Sequence, residues 1–275
     1  MAIKLIATDL DGTFYHRDRT YDKARFDRLL ALMNAQDIKF VVASGNQYCQ
    51  LISFFDHPDE MSFVAENGAL IVHEGKELFA SVIDRNIWLS VVETIQTIDE
   101  IEFVLVNGVK SAYCPITTKQ EDIEFYSHYF PKMQVVDDFT SIDDRIIKLS
   151  LVTKEAAMDT IAEQLKHIVG NQLRVVTSGH GDIDLLANGI NKAHALAQLM
   201  QIWNIKPDEV MAFGDAMNDY EMLKMAKYGF VMKNGNQKLK DDIGRVVPFT
   251  NEEDGELIIL DEYFNDPQLF LKKYA

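Results

Sequence analysis

The order of elements near the N-terminus limits the folds open to this chain. Residues 3–8, "IKLIAT", form a short apolar run typical of a buried strand, and residues 38–43, "IKFVVA", form a second one. Between them, residues 21–36 repeat apolar side chains at the spacing of one helical face. Two strands joined by a helix pair in parallel through a right-handed crossover. The sequence therefore predicts an α/β fold built on a parallel sheet.

The same alternation returns late in the chain, after a stretch of different character. Residues 191–232 again predict helix, strand, helix and strand, whereas residues 84–187 predict helices mixed with antiparallel strands. This middle part contains a hairpin, whose turn we place at Asn107 and Gly108. We therefore predict a core formed by residues 1–83 and 188–275, interrupted by an α+β domain at 84–187.

Composition excludes several classes of protein. The 27 basic and 43 acidic residues give a formal charge of -16, and such a chain repels the phosphate backbone of nucleic acids. Cys49 and Cys114 are too few for a disulfide framework or a paired-cysteine metal site. No apolar run has the character of a signal peptide or approaches the ~18 residues of a membrane span. We expect a soluble cytoplasmic protein with neither nucleic-acid nor membrane partners.

Polar side chains gather where the predicted core strands end. In an open parallel sheet, ligands bind outside the carboxyl ends of the strands, so these side chains should meet at one edge. The residues at these positions are Asp9, Asp11 and Thr13 after the first strand, Ser44, Gly45 and Asn46 after the second, Asp215, Asn218 and Asp219 after the late strand, and Lys192 at a helix start.

This collection of side chains predicts a metal-assisted phosphoryl transfer. Clustered carboxylates repel one another unless a cation neutralises them, and an oxygen-rich site with few histidines favours Mg²⁺ over zinc. Asp9 can attack phosphorus to give an aspartyl-phosphate, while Asp11 can protonate the leaving alcohol and then activate water. Ser44, the amide of Gly45 and the ammonium of Lys192 can hold the phosphoryl oxygens. Each feature alone has a structural explanation as a turn, a helix cap or a surface lysine, and their joint order carries the prediction.

These motifs resemble those of the haloacid dehalogenase (HAD) superfamily of phosphatases, in particular its Cof-type branch with an α/β cap. The resemblance covers the whole chain. The matching segments are "DLDGT" (9–13), the second-motif Ser44, the third-motif Lys192, "GDAMNDYEML" (214–223), "FVAENGAL" (63–70) and "GFVMKNG" (229–235).

The resemblance implies a Rossmann-like core and a role for each site residue. Asp9 would be the nucleophile and Asp11 the general acid/base, with Mg²⁺ held by Asp9, the backbone carbonyl of Asp11 and Asp215. Thr13 and Asp219 would support the site, and residues 84–187 would be a cap that selects the leaving group. The implied phosphate-binding residues are Leu10, Ser44, Gly45, Lys192 and Asn218.

Two departures from the family pattern bear on the substrate. Ser44-Gly45-Asn46 stands where Thr-Gly-Arg is common, and Ala193 follows the lysine where glycine is usual. The variant second motif is similar to that of bacterial sugar phosphatases that hydrolyse hexose and pentose monophosphates. We therefore predict a Mg²⁺-dependent phosphatase of small sugar phosphates. Asn46 is expected to tune substrate choice, and His180 and Asp182 of the cap are candidate partners for sugar hydroxyls, although a structural role for His180, capping a hairpin between two cap strands, is the favoured alternative.

Other functions remain open at this stage. A phosphomannomutase-like phosphotransferase shares the nucleophile, and a phosphatase of another metabolite, such as flavin mononucleotide, shares the whole site. A signalling receiver module phosphorylated on aspartate is disfavoured, because such a module has no general acid two residues after that aspartate and no cap. A sugar-binding protein with an inactive site is disfavoured, because all four motifs keep their reactive groups.

Overall fold

A computed structural model of the chain describes residues 2–179 and 181–274, which form thirteen strands and ten α-helices. The strands are β1 Leu5–Thr8, β2 Lys39–Ala43, β3 Ser62–Ala65, β4 Leu70–His73, β5 Lys76–Ala80, β6 Ile101–Gly108, β7 Ala112–Pro115, β8 Met133–Val136, β9 Ile146–Thr153, β10 Leu173–Gly179, β11 Asp182–Ala187, β12 Val210–Gly214 and β13 Tyr228–Val231. The helices are α1 Lys23–Ala35, α2 Tyr48–Leu51, α3 Arg85–Ile95, α4 Gln120–Tyr126, α5 Met158–Val169, α6 Lys192–Ile202, α7 Tyr220–Met225, α8 Gln237–Ile243, α9 Gly255–Asn265 and α10 Pro267–Lys273.

The core sheet has seven strands in the order β13-β12-β1-β2-β3-β4-β5. The first five are parallel, so that Leu5 of β1 is in register with Val210 on one side and Lys39 on the other. β4 and β5 add an antiparallel hairpin at one edge, which the sequence did not predict. The α/β fold class with a Rossmann-like core is confirmed.

Helices cover both faces of the core sheet, which explains the unbroken apolar runs of its strands. One face packs against α1, α9 and α10 through a cluster that includes Phe26, Leu260 and Phe270. The other face packs against α6, α7 and α8. Helix α1 begins after Asp22, whose side chain accepts a hydrogen bond from the backbone N–H of Arg25 and so caps the helix.

The second sheet lies within the predicted cap and has six strands in the order β10-β11-β9-β6-β7-β8. One of its faces packs against α3 and α5, with Trp88 and Leu165 in the shared cluster. The predicted hairpin exists as β6 and β7, but its turn was placed too early. Asn107 pairs with Ala112, which leaves Val109 and Lys110 at the turn. The limits of the cap stay a prediction.

The remaining face of the cap sheet is directed at the loops that follow β2 and β3. Lys148 of β9 contacts the backbone of Gly45, and Asp184 of β11 contacts Asn67. The carboxyl edge of the core sheet is therefore covered by polar cap side chains. In the described part of the chain, no helix is long and apolar enough to cross a membrane.

Candidate active site

Asp9 and Lys192 form the centre of the site. Asp9 directly follows β1, and Lys192 is the first residue of α6. The Lys192 Nζ lies 2.7 Å from Asp9 Oδ1 and 2.6 Å from Asp219 Oδ1, and Lys192 is only 1% exposed. Burial alone would lower the pKa of Lys192, but the charges of Asp219 and Asp9 together raise it. Lys192 is therefore a fixed, buried cation beside Asp9.

Asp215 stands beside this pair because β12 is the parallel neighbour of β1. The Thr13 hydroxyl donates to Asp215 Oδ1 at 3.1 Å. Gly12 has a φ of +73°, and a Cβ at this position would lie 2.5 Å from Asp215 Oδ2. Only glycine satisfies both constraints. Burial, and then the charge of Asp219, raise the pKa of Asp215 to about 7.

Asp219 is fully engaged by its neighbours. Its Oδ1 accepts from Lys192, and its Oδ2 accepts from the backbone N–H groups of Asp215 and Ala216, both at 3.0 Å. This carboxylate therefore orients Lys192 and the loop after β12.

A divalent cation fits between Asp9 and Asp215. Among the described residues, oxygens of Asp9, Asp215 and Asp219 lie within 4.8 Å of one another. Because Asp219 already accepts from Lys192 and from two backbone N–H groups, Asp9 and Asp215 are the carboxylates better placed to hold a metal. Burial raises the pKa of Asp9, with Lys192 opposing this shift, so a bound cation would relieve the cost of its charge. The backbone carbonyl of Asp11 stays a predicted ligand.

Asp11 is exposed at the mouth of the site, and two side chains hold its carboxylate. The Tyr15 hydroxyl donates to Asp11 Oδ1 at 2.7 Å, and the Asn46 amide donates to Asp11 Oδ2 at 2.8 Å. Burial, and then the charge of Asp11, raise the pKa of Tyr15, so its phenol keeps the donated proton. The sequence predicts that Asn46 tunes substrate choice, and it predicts no role for Tyr15.

The loop after β2 is fixed by contacts to the turn after β3. Ser44 donates its N–H to Val64 O and accepts the N–H of Asn67 on its carbonyl. Ser44 is only 1% exposed, and its Oγ accepts the N–H of Asn46 at 3.1 Å. A Cβ at Gly45 would come within 3.1 Å of Asn67 Nδ2, so this close approach favours glycine.

The other predicted phosphate-binding residues have defined places. The Leu10 side chain lies in the core, and its carbonyl accepts the N–H groups of Thr13 and Phe14. The Asn218 amide donates to Asn67 Oδ1 at 3.2 Å, while Asn218 Oδ1 is buried without a hydrogen-bond partner among the described residues. The two predictions are neither contradicted nor tested by these contacts.

The two cap candidates have different outcomes. His180 lies outside the described residues. Asp182 is exposed at the start of β11, in register with Val152 of β9. Two positions further along β11, Asp184 contacts Asn67 of the core.

A family model described as haloacid dehalogenase-like hydrolase matches residues 6–257. The chain belongs to this family. The 5-amino-6-(5-phospho-D-ribitylamino)uracil phosphatase YbjI of Escherichia coli (strain K12) is 38% identical over 266 residues, 95% of this chain and 96% of that protein. The phosphatase of the same name YitU, from Bacillus subtilis (strain 168), is 25% identical over 95% of this chain and 97% of its own length.

A solved structure agrees with these relatives. SMU.1108c from Streptococcus mutans UA159 has a TM-score of 0.90 and is 34% identical, covering 96% of this chain and 100% of that one. The resemblance inferred from the four motifs is confirmed, and the chain is a phosphatase of the haloacid dehalogenase family.

This haloacid dehalogenase-like phosphatase has a second buried lysine, on the cap. Lys148 is 2% exposed, and its Nζ lies 2.6 Å from Glu66 Oε2, 3.5 Å from Asp184 Oδ2 and 2.9 Å from the Gly45 carbonyl. Burial raises the pKa of Glu66, although Lys148 opposes that shift. Burial alone would lower the pKa of Lys148, but Asp184 and Glu66 raise it. Lys148 is therefore charged and joins the cap to the loops around the site.

A row of hydrogen bonds extends this contact across the cap face. Asn107 donates to Ser150 Oγ at 2.9 Å, Ser150 donates to Asp184 Oδ1 at 2.6 Å, and Asn67 donates to Asp184 Oδ2 at 2.8 Å. The sequence pattern does not predict this network. The available signal was Lys148 itself, a charge inside the apolar strand Ile146–Thr153.

Proposed function

We propose that the protein is a Mg²⁺-dependent phosphomonoesterase that works through an aspartyl-phosphate on Asp9. The observation that carries this proposal is the position of the Asp9 carboxylate, 2.7 Å from the buried ammonium of Lys192 and next to Asp215 at the sheet edge. A carboxylate in this setting is suited to attack a phosphate, whose negative charge Lys192 offsets. Mg²⁺ held by Asp9 and Asp215 would supply further positive charge against phosphate repulsion.

The first step transfers the phosphoryl group to the enzyme. An Asp9 oxygen attacks phosphorus, and the bond between phosphorus and the leaving oxygen breaks. Asp11 gives its proton to that oxygen, so the product leaves as a neutral alcohol. Lys192, the Ser44 hydroxyl and the Gly45 amide bind the non-bridging oxygens as their charge changes.

The second step returns the enzyme to its starting state. Asp11, now ionised, takes a proton from water, and the water oxygen attacks the phosphorus of the aspartyl-phosphate. The bond between phosphorus and Asp9 breaks, releasing inorganic phosphate and the free carboxylate. The cap limits water at the site until this step.

The substrate we propose is a phosphate ester at the end of a hydroxylated carbon chain. The support is the identity of 38% to a phosphatase named for 5-amino-6-(5-phospho-D-ribitylamino)uracil, which carries such a chain. The face of the cap sheet that is directed at the core also carries Asn107, Ser150 and Asp184, and polar side chains of this kind suit hydroxyl groups better than apolar side chains do. Asn107 Oδ1 is buried without a hydrogen-bond partner among the described residues. Pentose and hexose monophosphates share this chemistry and form the wider class.

Phosphate release from a panel of metabolites tests the proposal. The panel holds 5-amino-6-(5-phospho-D-ribitylamino)uracil, ribose 5-phosphate, glucose 6-phosphate and flavin mononucleotide, each assayed with Mg²⁺ and with excess chelator. We expect Mg²⁺-dependent release that is fastest for the ribityl compound. The Asp9→Asn variant should be inactive, because an amide cannot form the aspartyl-phosphate.

Two outcomes would contradict this function. Substantial turnover by Asp9→Asn would remove the nucleophile assignment. An isomerised sugar phosphate in place of inorganic phosphate would identify a mutase. Unchanged circular dichroism of the variant is the control for folding.

A further inference from the structure

The Asp11 carboxylate is held from two sides by neutral donors. Tyr15 donates to one oxygen at 2.7 Å and Asn46 to the other at 2.8 Å. Both donors are uncharged, so they fix the direction of the carboxyl group without forming an ion pair with it. Each oxygen has a second lone pair, which leaves a position for the proton that Asp11 must give and take.

Tyr15 is itself rigidly placed. It is 3% exposed, its ring lies 5.2 Å from that of Phe54, and its carbonyl accepts a hydrogen bond from Asn251 at 3.0 Å. A side chain with so little freedom loses little entropy when it holds Asp11. The Tyr15 hydroxyl, held by the core, therefore fixes the position of Asp11 Oδ1.

Asn46 is anchored through its backbone. Its N–H donates to Ser44 Oγ at 3.1 Å, and its carbonyl accepts the N–H of Glu66 at 3.1 Å. The amide that reaches Asp11 thus comes from the same loop as Ser44. Through Asn46, the loop proposed to bind phosphate also determines where Asp11 lies.

We propose that Tyr15 and Asn46 are positioning residues that hold Asp11 at the leaving-group oxygen. This inference rests on the proposed function, because it concerns the proton that Asp11 transfers when the bond from phosphorus to the leaving oxygen breaks. Proton transfer requires hydrogen-bond reach in the transition state, so a carboxyl group free to rotate is a weaker acid catalyst. The two donors matter most for esters whose leaving group needs a proton.

The test is the dependence of kcat/KM on the leaving group in a series of aryl phosphates, from 2,4-dinitrophenyl to phenyl phosphate. A dinitrophenolate leaves without help, whereas phenolate needs the proton. In Tyr15→Phe and in Asn46→Ala we expect the loss of kcat/KM to be about tenfold larger for phenyl phosphate than for 2,4-dinitrophenyl phosphate. A difference of this size is within the range that acid catalysis contributes. Inhibition by inorganic phosphate should change less than twofold, because its binding groups are retained.

Two controls separate positioning from a general effect on structure. Tyr21→Phe removes a phenol of the same hydrophobic cluster, whose hydroxyl donates to the Phe54 carbonyl at 3.0 Å. It should not alter the leaving-group dependence. In an Asp11→Ala background, Tyr15→Phe and Asn46→Ala should have no further selective effect, because they act only through Asp11.

Other results would overturn the inference. A loss of equal size across the series in both variants would show that neither residue assists proton transfer. A selective loss that persists without Asp11 would assign it to another group. If the wild type released no phosphate from any of these esters, the proposed function would fail, and the positioning role with it. If the wild type is active and kcat/KM of Asp11→Ala depends steeply on the leaving group, the proposed function is supported. The Tyr15 and Asn46 variants then decide the positioning role alone.

Discussion

Two lysines of this protein are buried in almost the same way but join different parts of it. Lys192 lies between Asp9 and Asp219, which both belong to loops at the edge of the core sheet. Lys148 lies between Glu66 and Asp184, one from the core and one from the cap. In both places one ammonium group faces two carboxyl groups.

The difference lies in what else each cluster contacts. At Lys192, the oxygens of Asp219 are held by the ammonium and by backbone N–H groups. Asp9 is therefore the carboxylate that we propose contacts a phosphate together with Lys192. At Lys148, the ammonium is taken up by Glu66, Asp184 and the Gly45 carbonyl. The arrangement at Lys192 is suited to a reaction, whereas the arrangement at Lys148 holds the cap against the loop that contains Ser44 and Gly45. A similar buried pair can thus serve either reaction or assembly.

The largest expected effect is on activity at Lys192. Lys192→Met should lower kcat/KM for p-nitrophenyl phosphate about 10³-fold, because the buried cation that we propose binds the phosphoryl oxygens is lost. Lys148→Met should stay within about tenfold of wild type in the same assay, since its ammonium binds protein groups. Equal losses in the two variants would contradict the division of roles.

The next effect is on stability at Lys148. Lys148→Met leaves Glu66 and Asp184 buried without their cation, so we expect the free energy of unfolding in urea to fall by about 3–5 kcal/mol. Adding Glu66→Gln should recover part of this loss, because one uncompensated charge is removed. Lys39→Met, which breaks an exposed pair with Asp37, serves as control and should cost less than about 1 kcal/mol. A Lys148 variant no less stable than this control would contradict the prediction.

The smallest effect concerns Glu256, a buried carboxyl group that forms no ion pair with a lysine among the described residues. It is 1% exposed, its hydrogen-bond partner is Thr8, and burial raises its pKa well above the ordinary value. The folded state therefore binds this proton more tightly than the unfolded state, and the contribution of Glu256 to wild-type stability falls as pH rises above the ordinary glutamate pKa. Glu256→Gln removes this dependence.

Urea unfolding at pH 5 and pH 8 measures the Glu256 effect. The stability of Glu256→Gln relative to wild type should increase towards pH 8, by an amount on the order of 1 kcal/mol. A relative stability that is constant or falls over this range would show that Glu256 is ionised in the folded protein.

The sequence predicted the cluster of polar residues at the edge of the core sheet better than the contact between cap and core. Asp9 and Asp215 follow from a general rule, because polar residues after parallel strands meet at one edge of a sheet. Lys192 was assigned to the same edge because it opens a helix. The partner of Lys148 follows no such rule, since Glu66 lies in another part of the chain and only tertiary packing brings the two together. The Asn46 contact with Asp11 likewise depends on a side-chain direction that spacing does not encode.

Other differences have local causes. The β4–β5 hairpin was missed because Leu70–His73 is a short apolar run, which fits a parallel or an antiparallel strand equally well. The cap hairpin turned later than predicted because cross-strand register, with Asn107 opposite Ala112, outweighed the local turn preference of Asn-Gly.

The shared cluster around Lys148 also constrains how such enzymes diversify. Exchanging the cap for one without this lysine would leave Glu66 of the core buried and uncompensated. Substitutions at positions 66, 148 and 184 should therefore be correlated among natural homologues. A recombinant chimera with a foreign cap should fold only when the residue at position 66 is changed with it.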